Sequence, residues 1–392
     1  MGTASIHVSE QLLTTAQAMR PRIQALAEDI EQQRSLPAAL TKELAEAGFF
    51  NMGVARAMGG PEVDCITATR IIEILSTADG ATGWVTMIAA TASFWATAFL
   101  TDAVAGQLFA PATQVIMVGG TIPHGRAVQT TGGYRLSGQW PFASGCQQAT
   151  WLASSAWLFD HDEPLLDAQG QPAWAVFLTP ATACRLLDTW HVTGLRGTGS
   201  HDYIIDNAFV PAHHSFPHPT QAASPRPERH YACLGVVVAW MAAVPLGIAR
   251  AAVEAFKHLL HTKQDRRANR PLVEDAEKQR AVAQAEVLVG AARAYLYETL
   301  TQVWATTQAG ESLSMTQRGQ LRGACTHAVL SAIQAVDTAY TAGGGSAIYT
   351  RSPLERYFRD VHTAAAHVAV QPATLTDAGR LFLGLEPLSR YL

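Results

Sequence analysis

Two short turns gather side chains that chemistry can use. The first is "GQWPFASGC" (Gly138–Cys146), where large rings run into the hydroxyl of Ser144. Trp140 and Phe142 predict a dry wall there, with Ser144 as the hydrogen-bonding atom at its end. The second is "TWHVTGLRGTGSHDYIIDNAFVP" (Thr189–Pro211), which sets Arg196, Thr198 and Ser200 in a glycine-rich loop. Backbone N–H groups, hydroxyls and a guanidinium on such a loop suit a phosphate or an electron-rich ring. A hairpin closed by glycines accounts for the same composition. The loop lacks Walker spacing and does not open a helix, which argues against a nucleoside triphosphate. Near the C-terminus lie His362 and His367, whose imidazoles are suited to moving protons near pH 7. Five residues apart on a helix, they point in different directions, so one of the two is expected to face a site. His124, in "TIPHGRAV", follows a strand end and is a candidate for the mouth of a substrate site. The pairs His213-His214 and His258/His261 come without a third ligand or a carboxylate at useful spacing, so no metal is expected.

These turns need elements to position them. From about Ser9 to Ala110 apolar residues recur at three and four, which predicts helices. In "SLPAALTKELAEAGFF", Ser35 is a plausible cap, with Pro37 in the first turn and Gly48 near the stop. "DCITATRIIEILSTADG" predicts a further amphipathic helix ending at Gly80. From about Val115 short β-branched and aromatic runs alternate with glycine turns. They predict six or more strands in a compact sheet or barrel, with a hairpin about Gly132-Gly133. "HPTQAASPRPERH" is expected to be a linker. Long periodic stretches at 232–265, 275–308, 315–342 and 353–370 then predict an antiparallel four-helix bundle. The expected division is residues 1–114 (helical), 115–216 (β) and 230–392 (bundle), mainly α with a central β domain.

The chain has 392 residues, only 15% of them charged, with a net charge of −4, and no long basic run recommends nucleic acid. Five scattered cysteines without a CxxC pair predict reduced thiols in a cytoplasmic protein. The start lacks a basic segment leading into an apolar run, so no signal peptide is expected. Gly83–Leu100 and Leu234–Ala249 are apolar enough to raise the question of a membrane. Their Thr, Ser, Gly and Pro content favours buried helices instead.

In their order, "GWV" (Gly83–Val85), "GQWPFASG", "WHVTGLRGTGS", "FVP" (Phe209–Pro211), "GGGSAIYTRSPLERYFRDVHT" and "GRLFLGLEP" resemble the acyl-CoA dehydrogenase fold. More closely they resemble its two-component flavin monooxygenase branch, which includes phenol, steroid-ring and dibenzothiophene oxygenases. The resemblance implies reduced flavin (FMNH2 or FADH2) and O2 as co-substrates, reacting through a C4a-(hydro)peroxide to hydroxylate an aromatic, polycyclic or heterocyclic small molecule. Ser144 matches the hydroxyl near flavin N5, and His367 or His362 the histidine at the C4a edge. Trp140, Phe142, Arg196, Thr198 and Ser200 would contact the flavin, as would Arg266 or Arg267 on its phosphate. Gly344, Gly345 and Ser346 match a loop against the flavin pyrophosphate of a neighbouring subunit. Trp84, Trp95 and His124 are the substrate-side candidates.

Dehydrogenases of this family need a carboxylate base. No acid follows Asp360 until Asp377, and none occurs in "YACLGVVVAWMAAV" before Pro245-Leu246-Gly247. The helix starting at "GWV" also lacks the histidine that phenol hydroxylases carry there, which favours a larger, flatter or more apolar substrate. No Rossmann fingerprint occurs, so a separate NAD(P)H:flavin reductase is implied. The resemblance also implies a homotetramer. The sequence also fits an acyl-CoA dehydrogenase with a displaced base, an N- or S-oxygenating relative, or a flavin-binding protein without turnover.

Overall fold

The protein is described from a computed structural model, which covers residues 3–110, 114–265 and 270–388. Five helices come first: α1 (Thr3–Gln33), α2 (Ala38–Glu46), α3 (Cys65–Ala78), α4 (Gly80–Thr97) and α5 (Asp102–Leu108). Eight strands follow: β1 (Met117–Thr130), β2 (Gly133–Ala143), β3 (Trp151–Asp160), β4 (Glu163–Pro164), β5 (Trp174–Pro180), β6 (Cys184–Leu187), β7 (His201–Pro211) and β8 (Ser215–Phe216). The last helices are α6 (Val237–Thr262), α7 (Ala276–Ala309), α8 (Met315–Gly343), α9 (Pro353–Ala365) and α10 (Thr374–Phe382). The order helices, sheet, helices is the one the periodicity predicts. All five cysteines are free thiols.

The strands form one sheet in the order β6-β7-β2-β1-β3-β5-β8, with β4 beside β3. Only β1 and β3 pair in parallel among the described strands. The β1–β2 hairpin turns one residue earlier than predicted, at Thr131-Gly132, where Gly132 takes φ +80 and Gly133 already opens β2.

The helix expected to end at Gly80 is α3, which ends at Ala78, and Gly80 instead opens α4, which abuts it. Asp79 caps α4, its carboxylate accepting from the Thr82 N–H at 2.7 Å and the Thr82 hydroxyl at 2.8 Å. The first residue of "GWV" serves that junction, because a Cβ at Gly83 would lie 1.9 Å from Ser76 Oγ on α3. Ser35 does not cap α2; Pro37 holds the cap position, and Ser35 Oγ receives the side chain of Gln148. The expected linker is a packed wall. Ser224 Oγ donates to Ala98 O at 2.6 Å, and Arg226 Nε donates to Thr97 O at 3.0 Å.

Leu234–Thr262, which contains α6, is long and apolar enough to cross a membrane, but 89% of its apolar window is buried inside the protein. It packs against α3 and α8 as the centre of the helical core. The buried Glu73 of α3 would be costly alone. Arg293 Nε at 2.8 Å and the Tyr297 hydroxyl at 2.6 Å, both on α7, satisfy it.

Candidate active site

Three hydroxyls meet where β2 ends and the glycine-rich loop turns. Ser144 Oγ lies 2.7 Å from Ser200 Oγ, which lies 2.6 Å from Thr198 Oγ1, and Thr198 donates to the Leu195 carbonyl at 2.8 Å. All three side chains are buried. The backbones are tied as well, Gly145 N–H donating to Thr198 O at 2.8 Å. Nearby Cys146 is no nucleophile, since burial pushes its thiol up to about 11.

The loop is held from behind. Leu195 takes φ +49, a left-handed conformation unfavourable for a branched side chain. Its N–H donates to Asp360 Oδ1 of α9 at 2.6 Å, and its carbonyl also accepts from Trp190 Nε1 at 3.1 Å. Gly194 is required by close approach, because a Cβ there would meet the Arg359 carbonyl at 2.1 Å. Burial raises Asp360 to about 7 and also raises Asp79, while the Arg356 guanidinium pulls both down. Asp360, Asp79 and Arg356 were missed in the sequence, where acids and arginines on helices pass for solvated faces.

On the other side of the hydroxyls stands Trp84 of α4. Its Nε1 donates to Ser144 Oγ at 3.1 Å, and its ring meets the His367 imidazole edge-on at 5.8 Å between centroids. The structure therefore brings Ser144, Thr198, Ser200, Trp84 and His367 into one constellation. His362 is not part of it. Its Nε2 pairs with Asp337 of α8 at 2.9 Å on the exposed face of α9. Burial pushes His367 down to about 4, so its ring is neutral near pH 7. The Ala369 N–H donates to His367 Nδ1 at 3.2 Å, which leaves the ring proton on Nε2.

A separate cavity of about 430 Å³, within the range of small-molecule sites (roughly 300–1,000 Å³), is lined by none of the five residues of this constellation. Its walls are the 219–224 segment, the start of α6 and one face of α8, and no Asp or Glu lines it. Two contacts link its wall to the turn after His367 and to α4. Arg322 on its wall donates to Ala369 O at 2.6 Å, and Leu234 on its wall accepts from Trp95 Nε1 at 3.1 Å. Along the otherwise buried α4, the partly open positions are Ile88, Thr91, Ala92 and Trp95, continued by Phe99. They fall on one helical face. Trp95 meets His218 at 5.1 Å, and Phe99 stacks on Phe216 at 5.9 Å. His124 is exposed on an irregular stretch of β1.

Trp140 corrects the expectation of a flavin wall. It is wholly buried in the sheet core, donates to Ser155 O at 2.7 Å and stacks on Tyr203 at 5.3 Å. Phe142 is the reverse, 70% exposed at φ +61 beside Trp190. Arg196 is part-buried, and its Nε has no partner among the described residues. Gly344, Gly345 and Ser346 lie at the far end of α8, the two glycines exposed. Arg266 and Arg267 lie outside the described residues.

Residues 9–107 match the acyl-CoA dehydrogenase N-terminal domain, and residues 239–372 match the acyl-CoA dehydrogenase C-terminal domain. The oxygenase component of an FADH(2)-dependent resorcinol hydroxylase from Rhizobium sp. is 30% identical over 93% of this chain and 92% of its own. The chain belongs to the acyl-CoA dehydrogenase family. Within it, the chain groups with the flavin-dependent two-component monooxygenases. An indole-3-acetate monooxygenase from Acinetobacter baumannii is 29% identical over 95% of this chain and 93% of its own. The crystal structure of a 3-HSA hydroxylase from Rhodococcus sp. RHA1 shares the fold, with a TM-score of 0.87, 24% identity, and 97% and 99% of the two chains covered.

The residues present fit a flavin. An exposed phenyl ring held in a left-handed backbone is costly twice over, and a flat ring laid on Phe142 offsets the exposure. The orphaned Arg196 Nε is a donor awaiting an acceptor. Among the described residues no cluster of His, Cys, Asp or Glu is arranged to hold a metal.

Proposed function

We propose that this flavin-dependent monooxygenase hydroxylates a flat, largely apolar aromatic or heteroaromatic molecule bound along α4, with Ser144 and His367 on either side of the reacting centre. The observation that carries the proposal is the pairing across Trp84 of a buried hydroxyl with a neutral imidazole. Family dehydrogenation requires a positioned carboxylate to remove a proton. The buried acids nearby, Asp79 and Asp360, are turned onto the α4 N-terminus and the Leu195 N–H.

Reduced flavin, when bound, supplies the electrons that activate O2; Phe142, Arg196 and the hydroxyl turn would hold it. Ser144 would face its N5 side, and the buried Trp84 ring beside it would help exclude water there. His367, protonated on Nε2, presents a donor to oxygen and can pass that proton on. Trp95 and the open stripe of α4 align the ring system of the substrate. The indole-3-acetate and resorcinol oxidised by named relatives are aromatic, in keeping with this wall.

A separate flavin reductase feeds the oxygenase, as two-component systems require. We further propose a cytoplasmic homotetramer, in which neighbouring copies cover exposed apolar side chains such as Val287, Tyr295, Ile348 and Tyr349. Anaerobic mixing with reduced flavin followed by ¹⁸O₂ should place one labelled oxygen in an indole-type substrate. Steady dye reduction by an acyl-CoA, with no label in any aromatic offered, would return the chain to the dehydrogenases.

A further inference from the structure

We infer that Thr198 and Ser200 are positioning residues that fix the Ser144 hydroxyl as a hydrogen-bond acceptor, so that the site selects reduced flavin, which carries N5–H, over oxidised flavin. This deepens the flavin assignment above and rests on it.

A hydroxyl has one proton to give and two lone pairs to receive with. The Leu195 carbonyl has none to give, so Thr198 Oγ1, 2.8 Å away, donates to it. That commits the only proton Thr198 has. Ser200 Oγ, 2.6 Å from Thr198, must then donate to Thr198. Ser144 Oγ, 2.7 Å from Ser200, must in turn donate to Ser200. Trp84 Nε1, which can only donate, takes one lone pair of Ser144 at 3.1 Å. What remains on Ser144 is a single lone pair and no proton.

The polarity is anchored at its far end. The Leu195 carbonyl also accepts from Trp190 Nε1 and from the Thr198 N–H, and the Leu195 N–H is held by Asp360, so the acceptor that ends the chain is fixed in place. Burial of all three hydroxyls keeps water from supplying a substitute proton. A reduced flavin offers N5–H to the free lone pair. An oxidised flavin offers a bare nitrogen there, and two acceptors face each other unfavourably.

Equilibrium titrations of the full chain with reduced FAD under anaerobic conditions, and with oxidised FAD, test this directly. The parent should bind the reduced form more tightly. Thr198→Val removes the terminus at nearly constant shape and should shrink the reduced-to-oxidised affinity ratio about tenfold, the weight of one hydrogen bond. Thr198→Ser should restore the parental ratio, and Ser200→Ala, which breaks the chain in its middle, should reproduce the Val result. Parental ratios in both Thr198→Val and Ser200→Ala, or a parent that prefers oxidised flavin, would overturn the inference. A parent that binds neither form would instead overturn the flavin assignment beneath it.

Discussion

The turn that carries Ser200 and the segment that carries His367 lie on either side of Trp84, and they are held by opposite means. Behind the turn stand Asp360, Trp190 and a glycine pressed onto the α9 backbone. Around His367 the backbone has left α9, which ends at Ala365. A three-residue turn capped by the imidazole and one bond from Arg322 carry it on, between exposed Ala366 and Val368. A hydroxyl that must present one fixed polarity needs the first kind of support. A group that takes up and releases a proton tolerates the second, because small shifts of the ring do not change its chemistry. Sites in one constellation can therefore differ in stiffness by design of the backbone alone.

The largest effect expected is on chemistry. His367→Asn keeps an acceptor for the Ala369 N–H but removes the Nε2 donor, and product formation should fall roughly 10²–10³-fold. Flavin binding should stay within about twofold of the parent. Single-turnover assays and titrations check both; equal loss in the two would dissolve the contrast.

Asp360 tests the stiff side. Asp360→Ala leaves the Leu195 N–H buried and unpaired and should cost about 2 kcal/mol in denaturant unfolding, with faster hydrogen exchange over residues 194–200. Asp360→Asn retains an acceptor and should recover most of that. The parent and Asp360→Asn should also part in pH dependence. With Asp360 raised to about 7, the folded chain keeps a proton that the unfolded chain releases near pH 4. The contribution of Asp360 to stability therefore falls as pH rises between those values, and Asp360→Asn should remove roughly 1–3 kcal/mol of pH-dependent change across that window.

His367 shifts the other way. Its pKa of about 4 lies below the unfolded value, so the contribution of this imidazole to stability is lost as pH falls from about 6.5 towards 4, opposite in sign to that of Asp360. Between pH 7 and pH 5, His367→Asn should lose roughly 1–2 kcal/mol less than the parent. An equal change between pH 7 and pH 5 in the parent and in His367→Asn would show the imidazole to be solvated.

The smallest effect separates two rings of one strand. Phe142→Ala should weaken flavin binding while changing stability by less than about 0.5 kcal/mol, as an exposed position does. Trp140→Phe should do the reverse, losing its bond to Ser155 O and about 1 kcal/mol.

That pair also shows what the sequence could convey. Period two places Trp140 and Phe142 on one face, and both were expected in one wall. The β2–β7 register slips between Trp140 and Ala143, and Phe142 takes a left-handed φ, so the bulge turns it outward. A one-residue irregularity of this kind leaves no compositional trace. The order of helices and strands was legible because it rests on periodicity over tens of residues. Ser144, Thr198 and Ser200 were legible because hydroxyls amid glycines and rings are conspicuous. His367 could not be separated from His362, since the helix that would have set their relative directions stops between them. Asp360 was hidden because its partner is a backbone N–H 165 residues away in sequence.

The open stripe on α4 carries a consequence for how such an enzyme changes its diet. Buried on its remaining faces, the helix cannot rotate or slide without dismantling the core. With the substrate lying along α4 as proposed, variation that retunes which molecules are accepted falls on a few codons, those for Ile88, Thr91, Ala92, Trp95 and Phe99. A combinatorial library restricted to these positions samples new substrates while leaving the hydroxyl turn, the imidazole and the cap at Asp79 untouched. Innovation and upkeep are written in separate parts of the gene, so one can drift while the other is preserved.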